Sequence, residues 1–227
     1  MLINQIKAMN PFRSQKKQDL WVIFKVMPFK FNGFFLELAA FDGITHSNTY
    51  VLEKMFNWKG ICVEPNPAIF EKLKINRKCI INNSVVSDVC KPVFFRTDNG
   101  VLAGIVSDET DNNYTNRGEE LKKADIIKLK TTNLTDLLDE LNAPKIVDYF
   151  SLDVEGSEEA IIRGLDFKKY KFGCLTIERP TPLVNEILFE NDYLFVKNYK
   201  NDSFYVHKNN SKNLKLQKFE QIPSKNW

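Results

Sequence analysis

Short apolar runs alternate along the chain with segments that have helical spacing. The first run, 34–38, precedes Thr49, Leu52 and Glu53, which recur at helical intervals, and the same order of strand, turn and helix returns further along. Strands that alternate with helices build an open, mostly parallel sheet, which binds ligands at the carboxyl ends of its strands. The pattern therefore predicts an α/β protein with its binding site along that edge.

The elements that the pattern predicts fill most of the chain. Strands are predicted at 34–38, 61–64, 79–82, 93–95, 126–131, 147–152 and 175–180, followed by an antiparallel hairpin at 193–197 and 203–206. Helices are predicted at 47–56 and 135–141, and in stretches that begin near Leu20, Asn66, Ser157 and Val184. The stretch 98–120 has weak periodicity, and we expect it to form a long loop that covers the substrate as a lid.

The composition is that of a soluble globular domain. The 227 residues are 43% hydrophobic and 27% charged, and they suffice for one domain with a sizeable core. We expect a single domain over 1–227, with a loosely held arm at 1–17 and a polar tail at 208–227. The net charge of +3 comes from 32 basic and 29 acidic residues, so the surface is mixed and we expect no nucleic-acid partner.

The cysteines and the lack of long apolar runs indicate the cellular compartment of the protein. Cys62, Cys79, Cys90 and Cys174 form no CxxC pair and no cluster with histidine, which predicts reduced thiols in a reducing compartment. No apolar run approaches the roughly 20 residues of a membrane span, and the N-terminal stretch lacks the apolar region of a signal peptide. We expect a cytoplasmic protein, or one of the host cytoplasm if the chain is viral.

Glu37 is the first candidate ligand contact. It interrupts the first apolar run, and the turn after it holds the small residues Ala39, Ala40 and Gly43, which let a ligand approach the backbone. The chain has neither a P-loop nor a GxGxxG fingerprint, so this turn does not predict a phosphate site. A carboxylate here favours a ligand whose nearby charge is positive. A purely structural strand and turn is the alternative.

Glu64 repeats this arrangement at the end of the second predicted strand. Pro65 would stop the strand, and Asn66 can cap the helix that follows. A carboxylate at this position can accept hydrogen bonds from both hydroxyls of a ribose. Two strand-end carboxylates in consecutive units describe an adenosine ligand with a cationic tail, which is S-adenosylmethionine.

Asp153 and Glu155 form the third candidate site, after the apolar strand 147–152. Side chains two residues apart on an extended segment point the same way. Asp153 is the candidate general base, because burial beside Glu155 would raise the pKa of one of the pair. Hydrogen bonding without proton transfer is the alternative for Asp153, and Glu155 is either structural or the partner of a basic residue such as Arg179. Glu178 and Arg179 end the next strand, where they either bind substrate hydroxyls or form an internal ion pair.

His46 lies close to the first motif and is a base, a substrate contact or a surface imidazole. The two histidines of the chain are too few for a histidine-based metal site, and we predict no metal. Since hard cations need only oxygen ligands, a Mg²⁺ site built from Asp153, Glu178 and a third carboxylate remains an alternative.

Five segments in order resemble the FkbM-type family of class I methyltransferases. They are SQKKQDLWVI, LELAAFDGITHSNT, WKGICVEPNP, NNSVVSD and FSLDVEGSEEAIIRG, and the resemblance runs from about Ser14 to about His207. The family's first motif is usually closer to DVGANDG, whereas Glu37, Ala39 and Phe41 stand here for Asp, Gly and Asn. Glu37 keeps the charge, and Ala39 can replace glycine if the turn needs no positive φ at that position.

The resemblance implies a Rossmann-like fold: a mostly parallel seven-stranded sheet with a C-terminal antiparallel hairpin and helices on both faces. It makes Val93-Phe94-Phe95 part of a side hairpin, and it places Asn83–Asp88 around the adenine, with Ser84 or Asp88 as the side-chain contact. The cofactor contacts that we predict are Gln15, Asp19, Glu37, Ala39, Asp42, Gly43, Ser47, Glu64, Pro65, Ser84, Val85 and Asp153. The substrate contacts that we predict are Tyr114, Arg117, Glu178 and Arg179.

The resemblance implies O-methylation, with a carbohydrate or glycoconjugate hydroxyl as the acceptor. Methylation of RNA ribose or of a protein is an alternative within enzymes. A module that binds S-adenosylmethionine without turnover is the alternative from another class. Neither the sugar nor the oligomeric state follows from the sequence.

Overall fold

The computed structural model describes residues 11–223. The helices are α1 (Gln18–Trp21), α2 (Tyr50–Phe56), α3 (Pro67–Asn76), α4 (Tyr114–Leu121), α5 (Leu134–Glu140), α6 (Glu158–Arg163) and α7 (Pro182–Glu190). The strands are β1 (Phe34–Leu38), β2 (Lys59–Val63), β3 (Ile80–Asn82), β4 (Val85–Ser87), β5 (Pro92–Arg96), β6 (Gly104–Ile105), β7 (Ile126–Asn133), β8 (Ile146–Leu152), β9 (Lys171–Glu178), β10 (Tyr193–Tyr199) and β11 (Asp202–His207).

The main sheet has seven strands in the order β3-β2-β1-β8-β9-β11-β10. Strands β3, β2, β1, β8 and β9 run parallel, whereas β11 is antiparallel to both β9 and β10. The predicted sheet, mostly parallel with an antiparallel hairpin at its C-terminal end, is confirmed. The chain order reverses between β1 and β8, and a ligand crevice of an open α/β sheet opens at such a point.

Hydrophobic side chains cover both faces of this sheet, as parallel strands require. Leu36 and Leu38 of β1 belong to a core that also contains residues of α5, α6 and α7. Phe35, which precedes Leu36 and points to the other face, belongs to a second core with residues of α1, α2 and α3. Alternate residues of one strand therefore support opposite layers, and the predicted helices on both faces are confirmed.

A second sheet of four strands, in the order β4-β7-β5-β6, lies outside the main one. The predicted side hairpin is part of this sheet, in which β4 pairs parallel with β7. The prediction of an unstructured loop at 98–120 is wrong, because the stretch contains a 3-10 helix (Gly100–Leu102), β6 and most of α4. Asn113 caps α4 by accepting a hydrogen bond from Asn116 N, so polar capping rather than hydrophobic spacing marks this helix.

Several boundaries differ from those predicted. The helix expected from residue 47 begins at Tyr50, because the residues before it bond to the Glu37 carboxylate. Helix α1 continues into a π-helical turn, Val22–Val26. Of the predicted arm, residues 1–10 lie outside the described residues. Within the described residues, none of the helices combines the length and apolarity needed to cross a bilayer.

Both ends of the described chain pack on the domain. Pro11 is buried, and Lys16 forms an ion pair with Asp202. In the predicted tail, Gln217 N donates a hydrogen bond to the Val196 carbonyl oxygen at 2.8 Å. The described residues of the predicted arm and tail, 11–17 and 208–223, therefore contribute contacts to the packed structure.

Candidate active site

A cavity of about 430 Å³ opens where β1, β2, β8 and β9 end. The loops that follow these strands form its inner wall. Residues 100–105, between β5 and α4, cover it as a lid together with Asp111 and Arg117. The cavity therefore lies at the reversal of strand order, where open α/β sheets bind their ligands.

Glu37 orders the loop after β1. Its carboxylate accepts hydrogen bonds from Ser47 Oγ at 2.9 Å, Asn48 N at 2.6 Å and Thr49 Oγ1 at 2.6 Å. The guanidinium of Arg77 lies 3.4 Å from the same carboxylate, and both side chains are buried. The positive charge beside Glu37 is therefore supplied by the protein itself.

The turn after β1 uses left-handed backbone at two non-glycine residues. Ala39 has a φ of 55° and Phe41 a φ of 50°. The condition under which Ala39 replaces glycine without strain is not met, and each such residue costs about 1–2 kcal/mol. The turn brings Phe41 N to 2.9 Å from Glu64 Oε2, so it links the ends of β1 and β2.

Glu64 offers a fixed carboxylate in the cavity wall. It is 5% exposed and accepts hydrogen bonds from Phe41 N and Asn66 N, both at 2.9 Å. Burial raises the pKa of Glu64 to about 7, and the two backbone hydrogen bonds offset only part of this effect. A ligand that donates hydroxyl groups to Glu64 would stabilise the ionised carboxylate.

Ser84 and Val85 line the cavity beside Pro65. Val85 is buried in β4 and gives this part of the wall an apolar surface. Asp88, the other predicted adenine contact, is not among the lining residues, because its carboxylate is turned to Arg163 at 2.9 Å.

Asp153 and Glu178 meet at the ends of β8 and β9. These strands are parallel neighbours, and the Asp153 carboxyl group hydrogen-bonds Glu178. Burial, followed by the charge of Glu178, raises the pKa of Asp153 well above its usual range. Burial also acts on Glu178, but Arg179 and Lys16 outweigh it and lower the pKa of Glu178. Within the pair, protonation is therefore favoured on Asp153 over Glu178, and Glu178 affects the pKa of Asp153 more than the expected neighbour Glu155 does.

Arg179 joins this pair to the lid. Its Nη2 atom lies 3.0 Å from Glu178 and 3.4 Å from Glu155, and it also pairs with Asp111 of the lid. Burial, followed by the charge of Glu178, raises the pKa of Glu155 to about 8. Asp111 N donates a hydrogen bond to the Glu155 carbonyl oxygen at 3.1 Å, so the lid contacts the loop after β8 through backbone and side chain.

Gly156 allows the lid to lie in contact with the loop after β8. It has a φ of 98°, and a Cβ atom at this position would lie 2.9 Å from backbone atoms of both Thr110 and Asp111. A glycine is therefore required by the close approach as well as by the backbone conformation.

The segment before α1 forms a further wall. Gln15 Nε2 lies 2.7 Å from His46 Nδ1, and both residues line the cavity. Behind this wall, Lys16 Nζ lies 2.6 Å from Asp202 and 3.2 Å from Glu178. The N-terminal segment thus spans the carboxyl edge of the sheet from the β1 loop to β9 and β11.

Most of the predicted site residues meet in the cavity. Those that line it are Gln15, Glu37, Ala39, His46, Ser47, Glu64, Pro65, Ser84, Val85, Arg117, Asp153, Glu155, Glu178 and Arg179. Besides Asp88, four predicted residues do not line it: Asp19, Asp42, Gly43 and Tyr114.

Each of these four has another role or position. Asp19 is fully buried beneath the N-terminal segment, and Asp42 accepts hydrogen bonds within its own loop. Gly43 lies against Arg77, with a φ of 78°. Tyr114 begins α4 and is 59% exposed.

Three residues near the cavity were missed from the sequence. Asn48 lines the cavity and donates a hydrogen bond to Ser151 Oγ at 2.8 Å. Asn48 and Lys16 lie inside two of the segments that carry the family resemblance. That position is the feature of the sequence that could have identified them as site residues. Asp111 lies in the stretch expected to be a loop, and nothing in the sequence pairs it with Arg179.

The carboxylates also provide a candidate cation site. Oxygen atoms of Asp153, Glu155 and Glu178 lie within 4.8 Å of one another. Such a set could hold a hard divalent cation such as Mg²⁺. Lys16 and Arg179 already contact Glu178, so part of its charge is neutralised within the protein.

Comparisons with known proteins agree with this architecture. The family model of the methyltransferase FkbM domain matches residues 37–200. The FkbM methyltransferase structure from Methylobacillus flagellatus KT is 12% identical with a TM-score of 0.51, over 86% of this chain and 48% of that chain. A precorrin-6y C5,15-methyltransferase from Geobacter metallireducens GS-15 is 14% identical with a TM-score of 0.41, over 87% and 93% of the two chains. No curated protein matches this chain significantly.

The chain spans about half the length of the FkbM structure, and at 12% identity the likeness to that structure shows the fold alone. The family match is stronger evidence of family membership, because it covers well over half of the chain and includes the ends of β1, β2, β8 and β9. This chain belongs to the FkbM methyltransferase family.

Proposed function

We propose that this protein transfers a methyl group from S-adenosylmethionine to a hydroxyl of a carbohydrate or glycoconjugate. The observation that carries the proposal is the position of two carboxyl groups, the buried Glu64 and the partly buried Asp153, in the wall of one cavity. Glu64 follows β2 and Asp153 follows β8, on either side of β1.

The chemistry of the cavity wall fits this cofactor. Two backbone N–H groups fix the Glu64 carboxylate, whose further lone pairs can accept hydrogen bonds from ribose hydroxyls. The small residues Ala39 and Ala40 and the apolar Val85 leave room for the nucleoside. At the other end, Asp153 and its acidic neighbours suit a cationic group.

When bound, S-adenosylmethionine supplies a methyl group activated on a sulfonium. Asp153 would take the proton of the acceptor hydroxyl, for which it must first be ionised. Burial and the charge of Glu178 favour the protonated form of Asp153 in the free protein, whereas a cation beside it favours the ionised form. While Asp153 is protonated, its carboxyl group donates a hydrogen bond to Glu178, which orients it in the cavity before the proton is lost.

The polar mouth of the cavity supports a hydroxyl-rich acceptor. Gln15, His46 and Arg117 line the cavity and offer hydrogen-bonding groups beside the apolar side chains of the lid. A carbohydrate hydroxyl is the acceptor that best fits such a mouth.

Calorimetry with S-adenosylmethionine and S-adenosylhomocysteine, with and without EDTA, tests the cofactor. Transfer of a radiolabelled methyl group is then measured against monosaccharides, deoxy-sugars and nucleotide sugars. Asp153→Asn should lower transfer about a hundredfold or more with unchanged S-adenosylhomocysteine affinity. Asp148→Asn, at the amino end of β8, controls for the loss of a carboxylate.

The possible outcomes separate the alternatives. Binding without transfer to any acceptor would favour a cofactor-binding module, and transfer to RNA or protein alone would overturn the carbohydrate assignment. Binding of neither ligand would overturn the whole proposal. A loss of binding or transfer in EDTA would assign a role to a divalent cation.

A further inference from the structure

The N-terminal segment places a cation behind the acidic end of the cavity wall. Lys16 Nζ lies 2.6 Å from Asp202 Oδ1 and 3.2 Å from Glu178 Oε1. The side chains are 12%, 4% and 11% exposed for Lys16, Asp202 and Glu178, so water screens these contacts only weakly. Lys16 is not among the lining residues, and it therefore acts on a ligand through Glu178.

The position of the Lys16 side chain depends on a loop that folds around Asp19. The buried Asp19 carboxylate accepts hydrogen bonds from Arg13 N at 3.0 Å and Leu20 N at 2.7 Å, which closes the loop on both sides. Lys17 has a φ of 64°, so the chain reverses immediately after Lys16. The fold of the loop thus directs one lysine inward and leaves its neighbour exposed.

Asp202 is held for this contact from two sides. Gln18 Nε2 donates a hydrogen bond to Asp202 Oδ2 at 2.5 Å, while Lys16 binds Oδ1. Asp202 begins β11, which pairs with β9, and its Cα partner there is Glu178. Register within the main sheet therefore places the two acidic partners of Lys16 side by side.

The charge balance around Asp153 gives Lys16 a function. The groups that face or adjoin Asp153 are three carboxyls and two cations: Glu155, Glu178, Asp202, Lys16 and Arg179. Methyl transfer turns a cationic cofactor into a neutral product, so positive charge is lost as the reaction proceeds. An acidic cluster without a counter-charge would stabilise the cation in the ground state more than in the transition state, which raises the barrier.

We propose that Lys16 is a positioning residue of the transfer site, which holds Glu178 beside Asp153 and opposes binding of a cationic relative to a neutral cofactor. The inference rests on the proposed function of the cavity. Loss of the lysine charge should tighten S-adenosylmethionine relative to S-adenosylhomocysteine and should slow the transfer. Both effects follow from the loss of positive electrostatic potential beside Glu178 and Asp153.

Three variants test the inference. Lys16→Met removes the charge and keeps the length of the side chain, whereas Lys16→Arg keeps the charge. Lys30→Met is the matched control, because Lys30 pairs with Asp148 at 2.5 Å at the amino end of β8. Calorimetry measures the dissociation constants of both ligands for each variant. The ratio of the S-adenosylhomocysteine constant to the S-adenosylmethionine constant should rise about threefold or more in Lys16→Met and stay unchanged in the other two.

The transfer rate gives a second readout. With the best acceptor of the wild-type protein, kcat should fall about tenfold in Lys16→Met and recover in Lys16→Arg. An unchanged ligand ratio in Lys16→Met would overturn the inference while leaving the proposed function intact. A wild-type protein that binds neither ligand would overturn both. If Lys16→Met does not melt cooperatively, Lys16→Gln replaces it with the same expected ratio.

Discussion

Arg77 and Glu37 form a buried ion pair beneath the cavity, with Nη1 of the arginine 3.4 Å from Oε2 of the glutamate. The same guanidinium lies 2.7 Å from Glu53 and donates a hydrogen bond to Thr49 Oγ1 at 2.9 Å. Arg77 follows α3, so this one side chain ties that helix to β1, to the loop after β1 and to α2.

Arg77→Met should therefore lower the free energy of unfolding by about 3–5 kcal/mol, because it leaves Glu37 buried without its counter-charge. Urea denaturation followed by circular dichroism measures the change. Lys74→Met is the control, since Lys74 pairs with Glu71 at 2.6 Å on the exposed side of α3. That variant should change stability by less than about 1 kcal/mol, and equal losses in both would contradict a special role for Arg77.

Glu64 should make cofactor binding depend on pH. Burial holds its pKa at about 7, and only the ionised carboxylate can accept hydrogen bonds from both ribose hydroxyls. The affinity for S-adenosylhomocysteine should therefore fall as the pH drops below 7, by at most about tenfold per pH unit. Calorimetry across this range measures it, and in Glu64→Gln the affinity should be low at every pH.

The same pKa has the opposite effect on the stability of the free protein. The folded state binds the Glu64 proton more tightly than the unfolded chain does. The stabilisation of the folded state by this proton is therefore full below pH 4.5 and is lost as the pH rises through 7. Glu158 also has its pKa raised to about 7 by burial, but it does not line the cavity. Glu158→Gln should flatten the stability profile without altering the pH dependence of binding. A change in that dependence would refute the assignment of Glu64.

Ala39→Gly should stabilise the protein. Ala39 has a φ of 55°, and glycine would relieve about 1 kcal/mol of backbone strain. The neighbouring Ala40 provides the control, since it is buried and has no positive φ. Ala40→Gly should lower the free energy of unfolding, so the two glycine variants are expected to shift the melting temperature in opposite directions.

Gly156→Ala should displace the lid. The new Cβ atom would lie 2.9 Å from the backbone of Thr110 and Asp111, which would weaken the contact of Asp111 with Arg179. Transfer should fall about tenfold or more, because acceptor and base are no longer held in place. Gly118→Ala in α4 has open space around it and should leave transfer unchanged while stabilising the helix by about 0.5–1 kcal/mol. Equal transfer rates in the two variants would show that the position of the lid does not affect methyl transfer.

The main sheet followed from local features of the sequence. Strand β1 has the predicted bounds, because a short, nearly continuous apolar run is the pattern of a parallel strand buried on both faces. Parallel strands end at one edge, so residues that follow separate strands, such as Glu64 and Asp153, could be brought together before any coordinates were known.

Other contacts depend on packing between distant segments and leave no periodic signal. Arg77 meets Glu37 across forty positions of sequence, and Asp111 meets Arg179 across sixty-eight. The parallel pairing of β4 with β7 is equally remote from any turn signal. Family resemblance located the N-terminal segment near the cavity, but it did not distinguish Gln15, which lines the cavity, from Asp19, which folds the loop.

The position of β11 between β9 and β10 limits where this protein can be truncated. A fragment cut at the bounds of the family match, 37–200, would start inside β1 and end before β11. It would leave β10 without its neighbour in the sheet and would also lack the loop that carries Lys16. For this protein, and for relatives with the same strand order, expression boundaries should be set by the sheet rather than by the matched segment.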